Sequence, residues 1–227
     1  MRTLGLIGGM TWQSTALYYR LLNEFTEQRL GGLHSVKLVL HSVDFAELAE
    51  LQHADRWDDA GTLVAEAAQG LQAAGAQLLL IGANTMHLVA DRVAAAVDVP
   101  LLHVADVVAR AARADGVTRL GLLGTAFTMQ HPFYADRLRA HGLHVTVPED
   151  DDRALVHRVI YTELAKGVFS DESRQALLAI VSRLAEGGAQ AVVLGCTELE
   201  LLLTEGPVPL YPTTRLHCEA AVTAALD

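Results

Sequence analysis

Leu4-Gly5-Leu6-Ile7-Gly8, near the start of the chain, returns as Leu120-Gly121-Leu122-Leu123-Gly124 in its second half. Each copy is a short apolar run closed by glycine, the pattern of a buried parallel strand entering a tight turn. Two further echoes follow in the same order. Gly75-Ala76-Gln77, four apolar residues and Gly82-Ala83 return as Gly188-Ala189-Gln190, four apolar residues and Gly195-Cys196. Val99-Pro100-Leu101-Leu102 returns as Val208-Pro209-Leu210-Tyr211. Any α/β chain places glycine after apolar strands, so one echo would carry little. Three in order, at offsets of about 110 residues, mark a duplicated architecture.

The intervening sequence fits that reading. Short β-rich runs at 4–7, 36–40, 78–81, 101–104, 120–123, 145–147 and 191–194 alternate with helix-compatible stretches at 14–29, 58–74, 151–166, 172–185 and 213–225. Such alternation predicts parallel βαβ units with helices on both sheet faces. Ser14 and Asp58 read as helix N-caps, and Gly31-Gly32 as a stop. The expected fold is α/β, with two pseudo-symmetric lobes, each a parallel four-stranded sheet flanked by helices. Residues 1–100 plus 209–227 would form the N-terminal lobe and 101–208 the C-terminal lobe. Ligands in such sheets bind beyond the carboxyl ends of the strands. The loops 8–14, 83–87, 124–129 and 196–198 should then line an active site in the cleft between the lobes. Ala83 and Cys196 become equivalent positions on its two walls.

Composition narrows the function. Half of the 227 residues are apolar, 51%, yet no apolar run approaches the roughly 20 residues of a membrane span. The first residues enter a strand pattern at once, unlike a signal peptide. A net charge of −10 opposes nucleic-acid or acidic-membrane partners, which need a basic patch. The two cysteines, Cys196 and Cys218, form no Cys-x-x-Cys and point to neither a disulfide scaffold nor zinc. None of the ten histidines pairs with another at metal-ligand spacing supported by a third residue. We expect a cytoplasmic protein with no metal. Gly5-x-x-Gly8-Gly9 lacks the Gly-x-Gly-x-x-Gly spacing of a dinucleotide site.

A pseudo-twofold cleft suits inversion of a stereocentre, where a proton leaves one face and another arrives at the opposite face. A thiol serves well if its pKa is lowered by a helix N-terminus or nearby donors. Cys196 follows a strand and a glycine, and Thr197-Glu198 then open a helix, a location that gives close backbone approach and a partial positive charge from the helix dipole. The same amides could hold a carboxylate as it becomes an enediolate.

Gly8-Gly9-Met10-Thr11-Trp12, Gly82-Ala83-Asn84-Thr85-Met86-His87, Gly124-Thr125-Ala126-Phe127-Thr128-Met129 and Leu194-Gly195-Cys196-Thr197-Glu198-Leu199 resemble the cofactor-independent aspartate/glutamate racemase family. The resemblance spans essentially the whole chain. It includes Gly31-Gly32-Leu33-His34-Ser35 and His41-Ser42-Val43-Asp44-Phe45, segments similar to the bacterial broad-specificity branch. It implies an isomerase without pyridoxal phosphate or other cofactor, acting as a homodimer on a small acidic amino acid. The family's second catalytic cysteine maps onto Cys196. Asn84, Thr85, Thr125, Thr128 and Thr197 match positions that hold the α-carboxylate. Met10 and Gln52 match cleft-lining residues, Glu198 one that orients the ammonium group or the second loop, and Lys166 a partner for a side-chain carboxylate.

One departure stands out. The family's first acid/base position, cysteine or sometimes threonine, is here Ala83. A methyl group neither removes nor donates a proton. Three readings stay open: a variant that traps substrate, a homologue using water or another group on that face, or a relative of one-thiol decarboxylases of the arylmalonate type. A non-catalytic binding protein for acidic amino acids is a further alternative. Cys218, inside the 213–225 helix, reads as core packing. His87 fits a loop-bonding or an orienting role equally well, and His41 and His217 are weaker candidates. The acidic run Glu149-Asp150-Asp151-Asp152 reads as a solvated helix start.

Overall fold

The computed structural model describes the chain from Met1 to Asp227 and divides into two units. The first comprises Met1–His103 and His217–Asp227. In it the opening apolar run becomes β1 (Leu4–Gly8), buried at every residue. There follow α1 (Trp12–Leu30), β2 (Leu38–Ser42), α2 (Phe45–His53), α3 (Trp57–Ala73), β3 (Leu78–Ile81), a 3-10 helix at Thr85–Val89 and α4 (Ala90–Ala95). The sheet is parallel in the order β2-β1-β3, with Ile7 opposite Ile81. Leu4, Leu6, Leu78 and Leu80 enter one core layer; Ile7, Leu79 and Ile81 enter the other. That is the two-residue alternation of a sheet covered on both faces.

This sheet has three strands rather than the expected four, and the run at 101–104, expected as a strand of the other lobe, joins it by a single parallel bridge, Leu79 to Leu101. The Leu79 amide donates to the Pro100 carbonyl and the Leu102 amide to the Leu79 carbonyl, both at 2.9 Å, before the chain turns helical again at Val104. The caps differ as well. Thr11, not Ser14, caps α1: its Oγ1 accepts the Ser14 amide at 3.3 Å. Asp58 lies inside the first turn of α3, where its charge still favours the helix dipole. Gly31, at φ +69°, closes α1 as expected.

The second unit, Val104–Leu216, carries the second copy. Its elements are α5 (Val104–Ala114), β4 (Arg119–Gly124), α6 (Ala126–Gln130), α7 (Pro132–Ala140), β5 (His144–Thr146), α8 (Asp150–Thr162), a 3-10 helix at Leu164–Lys166, α9 (Asp171–Glu186), β6 (Ala191–Gly195), α10 (Thr197–Leu202) and β7 (Leu210–Pro212). The closing helix α11 (Thr213–Leu226) begins in this unit and ends in the first. The parallel sheet runs β5-β4-β6-β7, with Gly124 opposite Gly195. β7 pairs with β6, so residues 209–216 belong here rather than with the N-terminal segment, and 101–103 stay with the first unit.

The single helix expected over 151–166 is interrupted. Glu163 leaves helical geometry at φ −121°, and Gly167 in the left-handed region ends the short 3-10 turn. The acidic start of α8 is not wholly solvated, because Asp152 forms a two-point ion pair with Arg183 of α9 at 2.6 and 2.7 Å. No helix is long and apolar enough to cross a membrane.

Candidate active-site loops

In each unit, the loops at the carboxyl ends of the two central strands gather the residues of interest. In the first unit the turn after β1 is fixed by threonines. The Gly9 amide donates to Thr15 Oγ1 at 2.7 Å, and Thr15 Oγ1 donates to the Thr11 carbonyl at 3.0 Å. Met10 is buried within this turn. Gln52, at the end of α2, is 4% exposed and directs its Nε2 to Met86 Sδ at 3.0 Å. After β3, the Gly82 amide donates to the Ile7 carbonyl at 2.8 Å. Ala83 then sits half-buried, followed by buried Asn84 and half-buried Thr85 at the start of the 3-10 helix.

His87 is 3% exposed, and its Nδ1 lies 2.9 Å from the Ala83 carbonyl. A carbonyl only accepts, so Nδ1 carries the proton. Behind it stand two more buried histidines, His103 at 4.6 Å and His217 at 5.9 Å between ring centres. His217 Nε2 donates to the Leu102 carbonyl at 2.8 Å, which leaves Nδ1 to accept the Tyr18 hydroxyl at 2.9 Å. Of His87's two candidate roles, the loop bond is the one present. Cys218 is fully buried, with Sγ 3.9 Å from the Tyr18 carbonyl, and belongs to the core.

The second unit repeats the turn with different side chains. Thr125 caps α6 by accepting the Thr128 amide at 3.4 Å, as Thr11 caps α1. Thr128 is fully buried, and its methyl packs against Gly124 and Gly195. A β-carbon at Gly195 would lie 2.8 Å from the Leu123 carbonyl oxygen, so only glycine lets the next residue emerge there. That residue is Cys196, half-buried at the cap position of α10.

Cys196 Sγ donates to Glu198 Oε2 at 3.0 Å, and Glu198 is 8% exposed. The helix start does not leave the thiol pKa lowered. Burial first, then the Glu198 carboxylate, push the Cys196 thiol up; only the Glu198 amide acts the other way. A helix of less than two turns offers too weak a dipole to offset a carboxylate in contact. Thr197 is buried beside it, its Oγ1 accepting from Thr214 Oγ1 at 3.2 Å. Lys166 is exposed, in the 3-10 helix that packs against α10.

Two residues near the thiol escaped the sequence reading. The Ala126 amide donates to His157 Nδ1 at 3.2 Å, so α8 supports the turn after β4. Tyr161, one turn later and 4.6 Å from the His157 ring, is kept protonated by burial and then by Cys196 and Glu198. Their four-residue spacing places them on one helix face, a signal present in the sequence. The open hollow bounded by Arg119, Arg139, His144 and Thr146 shares no residue with these loops.

The chain is 45% identical to a candidate Asp/Glu racemase from Yersinia pestis, with a TM-score of 0.94 and both chains covered in full. It is 32% identical to an aspartate racemase homologue from Pyrococcus horikoshii OT3, with a TM-score of 0.88 and full coverage of both. The aspartate racemase of Picrophilus torridus shares the fold, with a TM-score of 0.77 at 17% identity over 99% of this chain and 94% of that one. The model of the Asp/Glu/hydantoin racemase family matches residues 7–221. The chain therefore belongs to the Asp/Glu/hydantoin racemase family.

Proposed function

We propose that this chain is a pyridoxal-free amino-acid racemase scaffold for aspartate or glutamate that works with one acid/base group instead of two. The observation that carries the reading is the pairing of equivalent positions. Gly195 leads to Cys196, whose thiol is in contact with a carboxylate, whereas Gly82 leads to Ala83, which has only a methyl group.

In this reading the amides and hydroxyls around Asn84, Thr85, Thr125 and Thr197 receive the α-carboxylate, and Lys166 meets the side-chain carboxylate. Donors at that carboxylate spread the charge of the enediolate formed when Cα loses its proton. Cys196 as thiolate takes the Cα proton, the C–H pair moves into the enediolate, and the thiol returns a proton to the same carbon. With alanine at the equivalent position, return comes from the side it left. The chain then exchanges one enantiomer's Cα proton with solvent and retains configuration. The resemblance further supports a homodimer in the cytoplasm.

The test is incubation with L- and D-aspartate and glutamate in D₂O, with Cα deuterium followed by NMR and chirality by chromatography. Exchange with retention, lost in Cys196→Ala, supports the reading. Full racemisation would show that another group replaces residue 83, and no exchange from any of the four overturns it.

The same single thiol favours a second reading, decarboxylation of a malonate-type acid, which needs a proton donor on one side only. Carbon dioxide release from an arylmalonate, with no amino-acid exchange, would establish that instead.

A further inference from the structure

The reaction proposed above needs a thiolate, yet the thiol of Cys196 is held protonated against a buried carboxylate. From this contact we infer that Cys196 and Glu198 act as one acid/base unit, in which the Glu198 carboxylate receives the thiol proton as the thiolate forms. The inference rests on the racemase reading for its substrate, but the pair itself stands on geometry. Sγ lies 3.0 Å from Oε2, with the two side chains two residues apart at the start of α10. Glu198 is 8% exposed, so water competes poorly for the proton.

The proton balance closes. The S–H bond breaks, its pair stays on sulfur, and the proton passes to carboxylate oxygen. The thiolate then takes the Cα proton while the C–H pair enters the enediolate, and the reverse steps return a proton to carbon. One proton is thus shared by two groups in contact. The other titratable neighbours are Glu200 on the same helix, Tyr161 and His157 on α8, and Glu163 and Lys166 in the turn that packs against α10. Of these, Glu198 alone is hydrogen-bonded to the sulfur. It therefore receives a role in proton transfer, distinct from orienting the substrate ammonium group.

Iodoacetamide alkylation of Cys196, read by mass spectrometry across pH, tests the pair without any substrate, and buried Cys218 serves as an internal control. In Glu198→Gln the like charge is gone and an amide can donate to the thiolate. The alkylation midpoint should move down, with at least a tenfold faster reaction at neutral pH. Glu198→Asp, which keeps the carboxylate, should stay near the wild type. An unmoved midpoint in Glu198→Gln, or an equal shift in Glu198→Asp, overturns the pair.

The exchange assay gives the second readout. In Glu198→Gln the rate should climb tenfold per pH unit up to the alkylation midpoint, since it now follows free thiolate. A flat profile with a raised KM would instead assign Glu198 to the ammonium group and overturn the inference. A wild type that exchanges no amino acid fails the racemase reading alone, and the alkylation profile still decides the pair.

Discussion

The imidazole of His87 holds the carbonyl of Ala83, Nδ1 to oxygen at 2.9 Å, so the backbone at the altered position is anchored from beneath by a buried side chain. His87→Ala removes that bond and leaves a void beside His103 and His217. Loss of one partner of a buried hydrogen bond costs about 1–3 kcal/mol. Urea unfolding should show a lower midpoint with an unchanged slope, and a midpoint equal to the wild type would remove the anchoring role.

With the carbonyl fixed, what the first loop lacks is an acid/base atom, since Ala83 carries only a methyl group. Ala83→Cys or Ala83→Thr places an acid/base atom at the position equivalent to Cys196. We expect either to convert exchange with retention into inversion, read as the appearance of the opposite enantiomer on a chiral column. Deuterium exchange that still retains configuration in both variants would mean that residue 83 does not face the substrate carbon.

Much of this architecture is legible in the amino-acid sequence. The repeat of Leu4–Gly8 at 120–124 locates both central strands, and the glycine before each variable residue locates both loops. Composition does not reveal how charge sits around the thiol. A cysteine opening a helix leaves its protonation open, and here Glu198 lies two residues on and its carboxylate folds back onto the sulfur. Side-chain direction decides that outcome, and one sequence does not encode it visibly. Neither the reduced fourth strand of the first sheet nor the fate of β7 is readable from the echo: Pro100 and Pro209 stand at equivalent places in it, yet the first segment makes a single bridge and the second a paired strand.

Gly195 permits the close approach that brings Cys196 out of the sheet. Gly195→Ala would force a β-carbon to 2.8 Å from the Leu123 carbonyl oxygen and 3.3 Å from the Thr128 methyl. Overpacking of this kind costs about 1–3 kcal/mol as the backbone shifts. A thermal melt should show a lowered Tm, together with an altered alkylation rate at Cys196. An alanine variant that melts and alkylates like the wild type would show that the strand end yields without strain.

Glu200 offers a pH signature separate from catalysis. Its Oε1 accepts the Thr214 amide at 2.5 Å at the start of α11 and meets Thr213 Oγ1 at 3.3 Å. Burial pushes its pKa up to about 7 despite those donors. The unfolded chain binds this proton with an ordinary carboxyl pKa of about 4.5, so between about pH 4.5 and pH 7 the folded state holds more protons. Stability from this group is therefore full at the acidic end of the window and falls as pH rises through it, by about 3 kcal/mol at most. In Glu200→Gln the side-chain oxygen still accepts the Thr214 amide, and no charge has to be buried. The variant should match the wild type near pH 5 and exceed it near pH 8, with the gap measured by urea unfolding at both values. A gap that is the same at both, or that reverses sign, would show that Glu200 is ionised at little cost in the folded protein.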